Sequence, residues 1–155
     1  MSHFYLDASA LVKRYASEVG SGWVKALADP AHGNTVLSSR ITLAEVAAAL
    51  AARHRAPGGL SRQARDRAVN LFLGHCRFEY RMIEVDEFTS DLAVRLTQDY
   101  RLRGYDAMHL ATALLVNRAL LRAGIPSLTL VASDEDLLAA ARGEGLATEN
   151  PERHH

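Results

Sequence analysis

One cysteine and two lysines among 155 residues are the shortages that first narrow the field. A lone Cys76 permits no internal disulfide and no cysteine-rich zinc site, favours a reducing compartment, and reads as an inert buried thiol. The N-terminus has no basic stretch leading into an apolar one, which argues against a secretory signal. No apolar run nears the roughly 18 to 20 residues needed to cross a bilayer. A soluble, cytoplasmic protein with no membrane partner is the expectation. An excess of one charge is also missing: 18 basic and 18 acidic side chains leave a formal net charge of zero. A chain that held nucleic acid through overall charge would carry a basic excess. Attraction to phosphate must therefore be local or come through a metal. With lysine only at Lys13 and Lys25, the basic residues are almost all arginine. That planar fork suits phosphate, although codon bias in a GC-rich genome is the simpler cause.

What is present is ordinary globular composition, 48% hydrophobic and 23% charged, at a length that can bury a real core. No repeat, low-complexity tract or linker divides the chain. Residues 1–148 read as a single domain. Residues 149–155 read as a C-terminal tail without apolar periodicity, and the terminal histidines are left out of site reasoning. Short apolar runs at 3–6, 35–38, 82–85, 127–132 and 146–148 read as strands. Helical periodicity covers 9–15, 42–54, 61–76, 88–102, 107–121 and 134–142. Strands alternating with helices predict an α/β fold with a mostly parallel sheet. Ligands in such folds sit beyond the carboxyl ends of the strands.

Four acids fall at that edge. Asp7 ends the first strand, Asp134 follows the fourth, Glu45 lies in the first turn of the helix after the second, and Asp106 opens a later helix. Each also occupies a place where helix capping puts an acid: Thr42-x-x-Glu45 matches a capping box, and Ser133-x-x-Asp136 resembles one. The conjunction is harder to explain by capping. Glu45 falls off the Leu43/Val46/Leu50 stripe, among small alanines that leave room beside a carboxylate. Two carboxylates about 5 Å apart repel by roughly 3 kcal/mol at an effective dielectric near 20. Four converging acids therefore call for protonation or a cation. All-oxygen donors point to a hard ion, Mg²⁺ or Mn²⁺, and carboxylates with such an ion suit phosphodiester hydrolysis.

The segments Tyr5-Leu6-Asp7-Ala8-Ser9-Ala10-Leu11-Val12-Lys13, Thr42-Leu43-Ala44-Glu45-Val46, Gly104-Tyr105-Asp106-Ala107-Met108-His109-Leu110-Ala111-Thr112-Ala113 and Val131-Ala132-Ser133-Asp134 resemble the motifs of PIN-domain nucleases. Within them the chain looks most like the VapC toxins of bacterial toxin–antitoxin pairs. The resemblance spans nearly the whole chain in order. It implies a three-layer α/β/α sandwich and a Mg²⁺- or Mn²⁺-dependent endoribonuclease acting on RNA. It also implies a homodimer and a small antitoxin whose tail blocks the pocket. Asp7, Glu45, Asp106 and Asp134 take the four acidic positions, with Ser9 and Ser133 as supporting hydroxyls.

Other residues are weighed differently. Asp136 is expected to cap or face solvent. His109 shares a helical face with Asp106, but an oxygen-rich site does not favour imidazole, so it is expected to pack or hydrogen-bond nearby. Arg14, Arg40, Arg101 and Arg103 flank the acids, as solvated surface charges. Two other classes remain. An aspartyl-phosphate phosphotransfer module would want a second Asp where Ser9 stands, or a lysine later than Lys25. A non-catalytic binding module on a nuclease fold would not need all four acids.

Overall fold

The computed structural model describes residues 2–155. Five short strands form one sheet: β1 (His3–Leu6), β2 (Thr35–Ser39), β3 (Arg81–Ile83), β4 (Thr129–Val131) and β5 (Ala147–Glu149). All pair in parallel, in the order β3-β2-β1-β4-β5. Among the described residues seven α-helices connect and cover them: α1 (Ala8–Leu11), α2 (Ser21–Ala28), α3 (Thr42–Arg55), α4 (Arg62–Phe78), α5 (Glu87–Asp99), α6 (Gly104–Arg122) and α7 (Glu135–Gly143). Among the described residues no helix is long and apolar enough to cross a membrane.

The three layers follow from period-two alternation in the strands. Tyr5, Leu37 and Leu130 stand side by side in register and point to one face, where α5, α6 and α7 cover them with Leu96, Leu110, Leu137 and Leu138. Phe4, Leu6, Val36 and Val131 point to the other face, under Leu11 of α1, Val24 of α2, Val46 and Leu50 of α3, and Phe72 of α4. Strand order reverses between β1 and β4, each running outward from the middle of the sheet. Such a reversal opens a crevice at the carboxyl ends. Asp7 and Asp134 flank it.

Residues 149–155, set apart in sequence as a tail, pack onto the domain. Asn150 and Pro151 are buried, and Glu152 accepts from the buried Lys13 at 3.3 Å. The His154 ring stacks on Trp23, centroids 4.3 Å apart and planes within 5°. Sequence periodicity misses this segment because a few specific contacts, not an apolar face, hold it. One of them depends on Gly20, whose φ of +89° is left-handed and whose Cβ, if present, would lie 2.5 Å from the Pro151 carbonyl oxygen. Gly20→Ala is expected to destabilise the protein by about 2 kcal/mol or more, from backbone strain plus overpacking. Thermal unfolding checks the loss, and the emission of Trp23 checks release of the segment from its ring.

Candidate active site

Asp7 leaves β1 in extended conformation and caps α1, its Oδ1 accepting from the Ala10 amide at 3.0 Å and the Ser9 hydroxyl at 2.6 Å. Both bonds use the same oxygen, Oδ1. The Ser9 oxygen in turn accepts from the Ser133 amide at 3.0 Å. One hydroxyl thus ties the ends of β1 and β4 together across the crevice. Asp7 is buried, and among the described residues no arginine or lysine pairs with it. Burial is the largest influence and pushes its carboxyl above the usual range. The field of His109 and the bonds from Ser9 and Ala10 oppose that rise, while Glu45 adds to it. Beside it the buried Ser133 Oγ has no hydrogen-bond partner among the described residues.

Asp134 caps α7, Oδ1 accepting from the Leu137 amide at 2.9 Å. Capping is therefore real for Asp7 and Asp134, and each keeps a second oxygen for other work. For the other two acids the structure overturns it. Thr42 does not cap α3. The cap position is Ile41, without a side-chain bond, because the Thr42 hydroxyl is drawn to Ser38 Oγ at 2.8 Å, and Ser38 donates to the Leu6 carbonyl at 2.6 Å. Glu45 instead reaches across the sheet edge, its Oε1 2.7 Å from His109 Nε2. Asp106 does not cap α6 either. Arg103 holds that position, and its Nε donates to Asp106 Oδ2 at 3.1 Å. The expected Ser133-x-x-Asp136 box is likewise absent, since Asp134 is the cap residue. Asp136 is exposed and lines a cleft with Arg103, Asp106 and Asp134.

The acids thus stand on one edge as two groups. Asp7, Glu45 and His109 influence one another on the β1 side. Asp106 and Asp134 share the guanidinium of Arg103, whose Nη2 lies 3.6 Å from Asp134 Oδ2. Among the described residues no three His, Cys, Asp or Glu side chains are gathered tightly enough to hold an ion by themselves. Three of the four carboxylates face a nitrogen donor, Glu45 the His109 imidazole and Asp106 and Asp134 the Arg103 guanidinium, whereas Asp7 is held by the Ser9 hydroxyl and the Ala10 amide. Of the flanking arginines weighed from sequence, Arg103 alone bonds a predicted site acid; Arg14 pairs with Glu79 at 3.1 Å and Arg40 with Glu84 at 3.5 Å. Tyr5 is the residue that sequence reasoning passed over. It lies in β1 two places before Asp7, where it reads as core, and nothing local marks its hydroxyl as bonded to His109 Nδ1 at 2.8 Å.

A model of the PIN domain family matches residues 4–143. The chain belongs to the PIN-domain family. A curated relative, ribonuclease VapC45 of Mycobacterium tuberculosis, is 35% identical over 143 residues, covering 91% of this chain and 90% of the relative. Among solved structures, the sarcin–ricin loop cleaving toxin VapC20 of M. tuberculosis superposes with a TM-score of 0.59 at 20% identity, over 88% of this chain and 94% of that one. VapBC2 of Rickettsia felis, solved bound to a DNA fragment from its promoter, does so with 0.63 at 16% identity, over 96% and 98%. At such identities the superpositions speak to the fold, and the PIN-domain sandwich expected from sequence is the fold found.

Proposed function

We propose that this PIN-domain protein is a metal-dependent endoribonuclease acting as the toxin of a toxin–antitoxin pair. The observation that carries the reading is a buried carboxylate, Asp7, held at the strand-reversal crevice with no arginine or lysine partner among the described residues and beside a serine hydroxyl that has none among them either. An uncompensated buried acid is costly unless something neutralises it. The donor set of Asp7, Glu45, Asp106 and Asp134, with Ser9 and Ser133 alongside, is all oxygen and fits Mg²⁺ or Mn²⁺. Such an ion supplies stabilisation of phosphoryl charge and a more acidic water. The chain's own contribution is placement. Ser9 holds Asp7 in one rotamer and links the two central strand ends, His109 holds Glu45, and Asp134 is anchored by its cap bond.

Further support comes from the 35% identity to a curated ribonuclease across nine-tenths of both chains. A protein antitoxin that covers the acidic edge and a homodimer complete the proposal. The exposed apolar side chains Val94 and Tyr105, on α5 and α6 beside that edge, are surface available for such contacts. The test is incubation of the purified protein with RNA in Mg²⁺, in Mn²⁺ and in EDTA. Cleavage that leaves 5′-phosphate and 3′-hydroxyl ends, is lost in EDTA and returns with added ion is the expected result. Undiminished cleavage in EDTA would remove the reading.

A further inference from the structure

We propose that His109 is the positioning residue of this site, its Nε2 kept protonated by the buried Tyr5 hydroxyl so that it donates to Glu45 and fixes that carboxylate at the sheet edge. The inference rests on the nuclease reading for its consequence, but its geometry stands without it. His109 is 1% exposed and Tyr5 is 0% exposed, so neither ring can exchange its partner for water. His109 uses both nitrogens: Nδ1 meets Tyr5 Oη at 2.8 Å and Nε2 meets Glu45 Oε1 at 2.7 Å. The Tyr5 phenol carries a hydroxyl that can donate to Nδ1 or accept from it. The charged imidazole, whose field acts on Asp7, donates from both nitrogens and so from Nε2; a neutral one has one donor and one acceptor, and which is which follows from the neighbours. A lone pair on Nε2 would face a carboxylate oxygen at hydrogen-bond distance, two acceptors against each other. With the proton on Nε2 and the Tyr5 hydroxyl donating to Nδ1, every group is satisfied.

Glu45 needs such a hold. Unlike Asp7 and Asp134 it makes no capping bond, and among the described residues His109 is the partner that its carboxylate has. A glutamate has three side-chain torsions, and ordering a side chain of that kind weakens binding when it must be done at the moment of binding. The hydrogen bond does it beforehand. It also crosses the layers: Tyr5 and α6 belong to one core and α3 to the other. The register of the two helical layers over the strand ends thereby sets where Glu45 stands. Metal-ligating carboxylates are in general held by outer hydrogen bonds whose loss costs about 10–100-fold in metal affinity or activity.

The test uses Tyr5→Phe, which keeps the buried ring and removes only the hydroxyl. Three readouts are taken on the full chain. Mn²⁺ affinity by calorimetry is expected to fall about tenfold. The turnover of RNA is expected to fall by a similar factor, with KM little changed. On a Glu45→Gln background, Tyr5→Phe is expected to have no further effect on either quantity, since residues acting through one another are not additive. His109→Gln, which retains an amide donor at similar reach, should recover more Mn²⁺ affinity than His109→Leu. Nitrogen-15 NMR of the wild-type imidazole at alkaline pH is the readout independent of chemistry, and a proton on Nε2 is expected. A proton on Nδ1, or an equal effect of Tyr5→Phe with and without Glu45→Gln, would overturn the proposal. If the wild-type chain proves unable to cleave RNA while NMR finds Nε2 protonated and Tyr5→Phe still weakens Mn²⁺ binding, the nuclease reading fails and the positioning role stands.

Discussion

Replacing Asp7 with asparagine is expected to abolish RNA cleavage and, in the same protein, to raise the melting temperature measured in EDTA. Both outcomes come from one carboxylate. The amide keeps Oδ1, so the bonds from Ser9 and Ala10 and the cap on α1 survive the exchange. What disappears is a buried negative charge whose carboxyl is pushed up first by desolvation and further by Glu45. The folded carboxyl titrates above the unfolded one, so the native state binds the proton more tightly. Below the unfolded value Asp7 therefore costs nothing, and the penalty enters as pH rises through the interval up to the folded value. The metal-free wild type should lose stability across that interval. The asparagine protein should not. A divalent ion that settles beside Asp7 should restore the wild type and leave the variant unmoved. Cleavage should fall by about a hundredfold or more, because the charge stabilisation an ion provides is several kcal/mol and each 1.4 kcal/mol is tenfold. Melting curves at several pH values, with a gel assay on RNA, decide it. A variant that is less stable and fully active would refute the assignment.

Much of the sheet was legible because its signal is local. Runs such as 3–6 and 35–38 are apolar, short and closed by a polar residue, and they are strands. Their ends are set by neighbours, and there the sequence is silent. The run at 82–85 extends beyond the strand found, Arg81–Ile83, because its partner β2 ends at Ser39, which pairs with Ile83. The run at 127–132 shortens to Thr129–Val131 for the same kind of reason: β4 takes its register from β1 and β5, each only three or four residues long. The three layers follow from alternation, since Tyr5 and Leu6 are adjacent in the chain and belong to opposite cores.

The site was legible as a list of acids and illegible as a set of bonds. A capping box is a local pattern. It cannot register that the Thr42 hydroxyl has a competing partner in Ser38, or that Glu45 has one 64 residues away in His109. Arg103 stands three residues before Asp106 in a chain rich in arginine, where a solvated role is the ordinary outcome. Only the fold brings Asp134, 31 residues on, to its other side. The long-range partners of charged groups are what a one-dimensional reading loses, and they decide which carboxylates are strained and which are already compensated.

That distinction separates Asp106 from Asp7. Asp106→Asn is expected to reduce cleavage by about a hundredfold or more, like Asp7→Asn, since both remove a charge from the proposed cation site. It should leave the melting temperature in EDTA nearly unchanged. Asp106 already has a counter-charge in Arg103, an exposed ion pair of the kind that contributes little to stability, so its removal relieves no repulsion and breaks no buried network. The guanidinium between Asp106 and Asp134 occupies ground that a dication would need, and the two cannot both hold the same oxygens. Arg103→Ala should accordingly bind Mn²⁺ several-fold more tightly at low ionic strength, with the gain shrinking as salt screens the exposed charge. Arg101→Ala, two residues away and bonded to neither acid among the described residues, should show much less. If Arg103→Ala instead weakens Mn²⁺ binding, the arginine supports the ion's site and does not compete for it. The separation of the four acids would then need a cause other than the partners they hold.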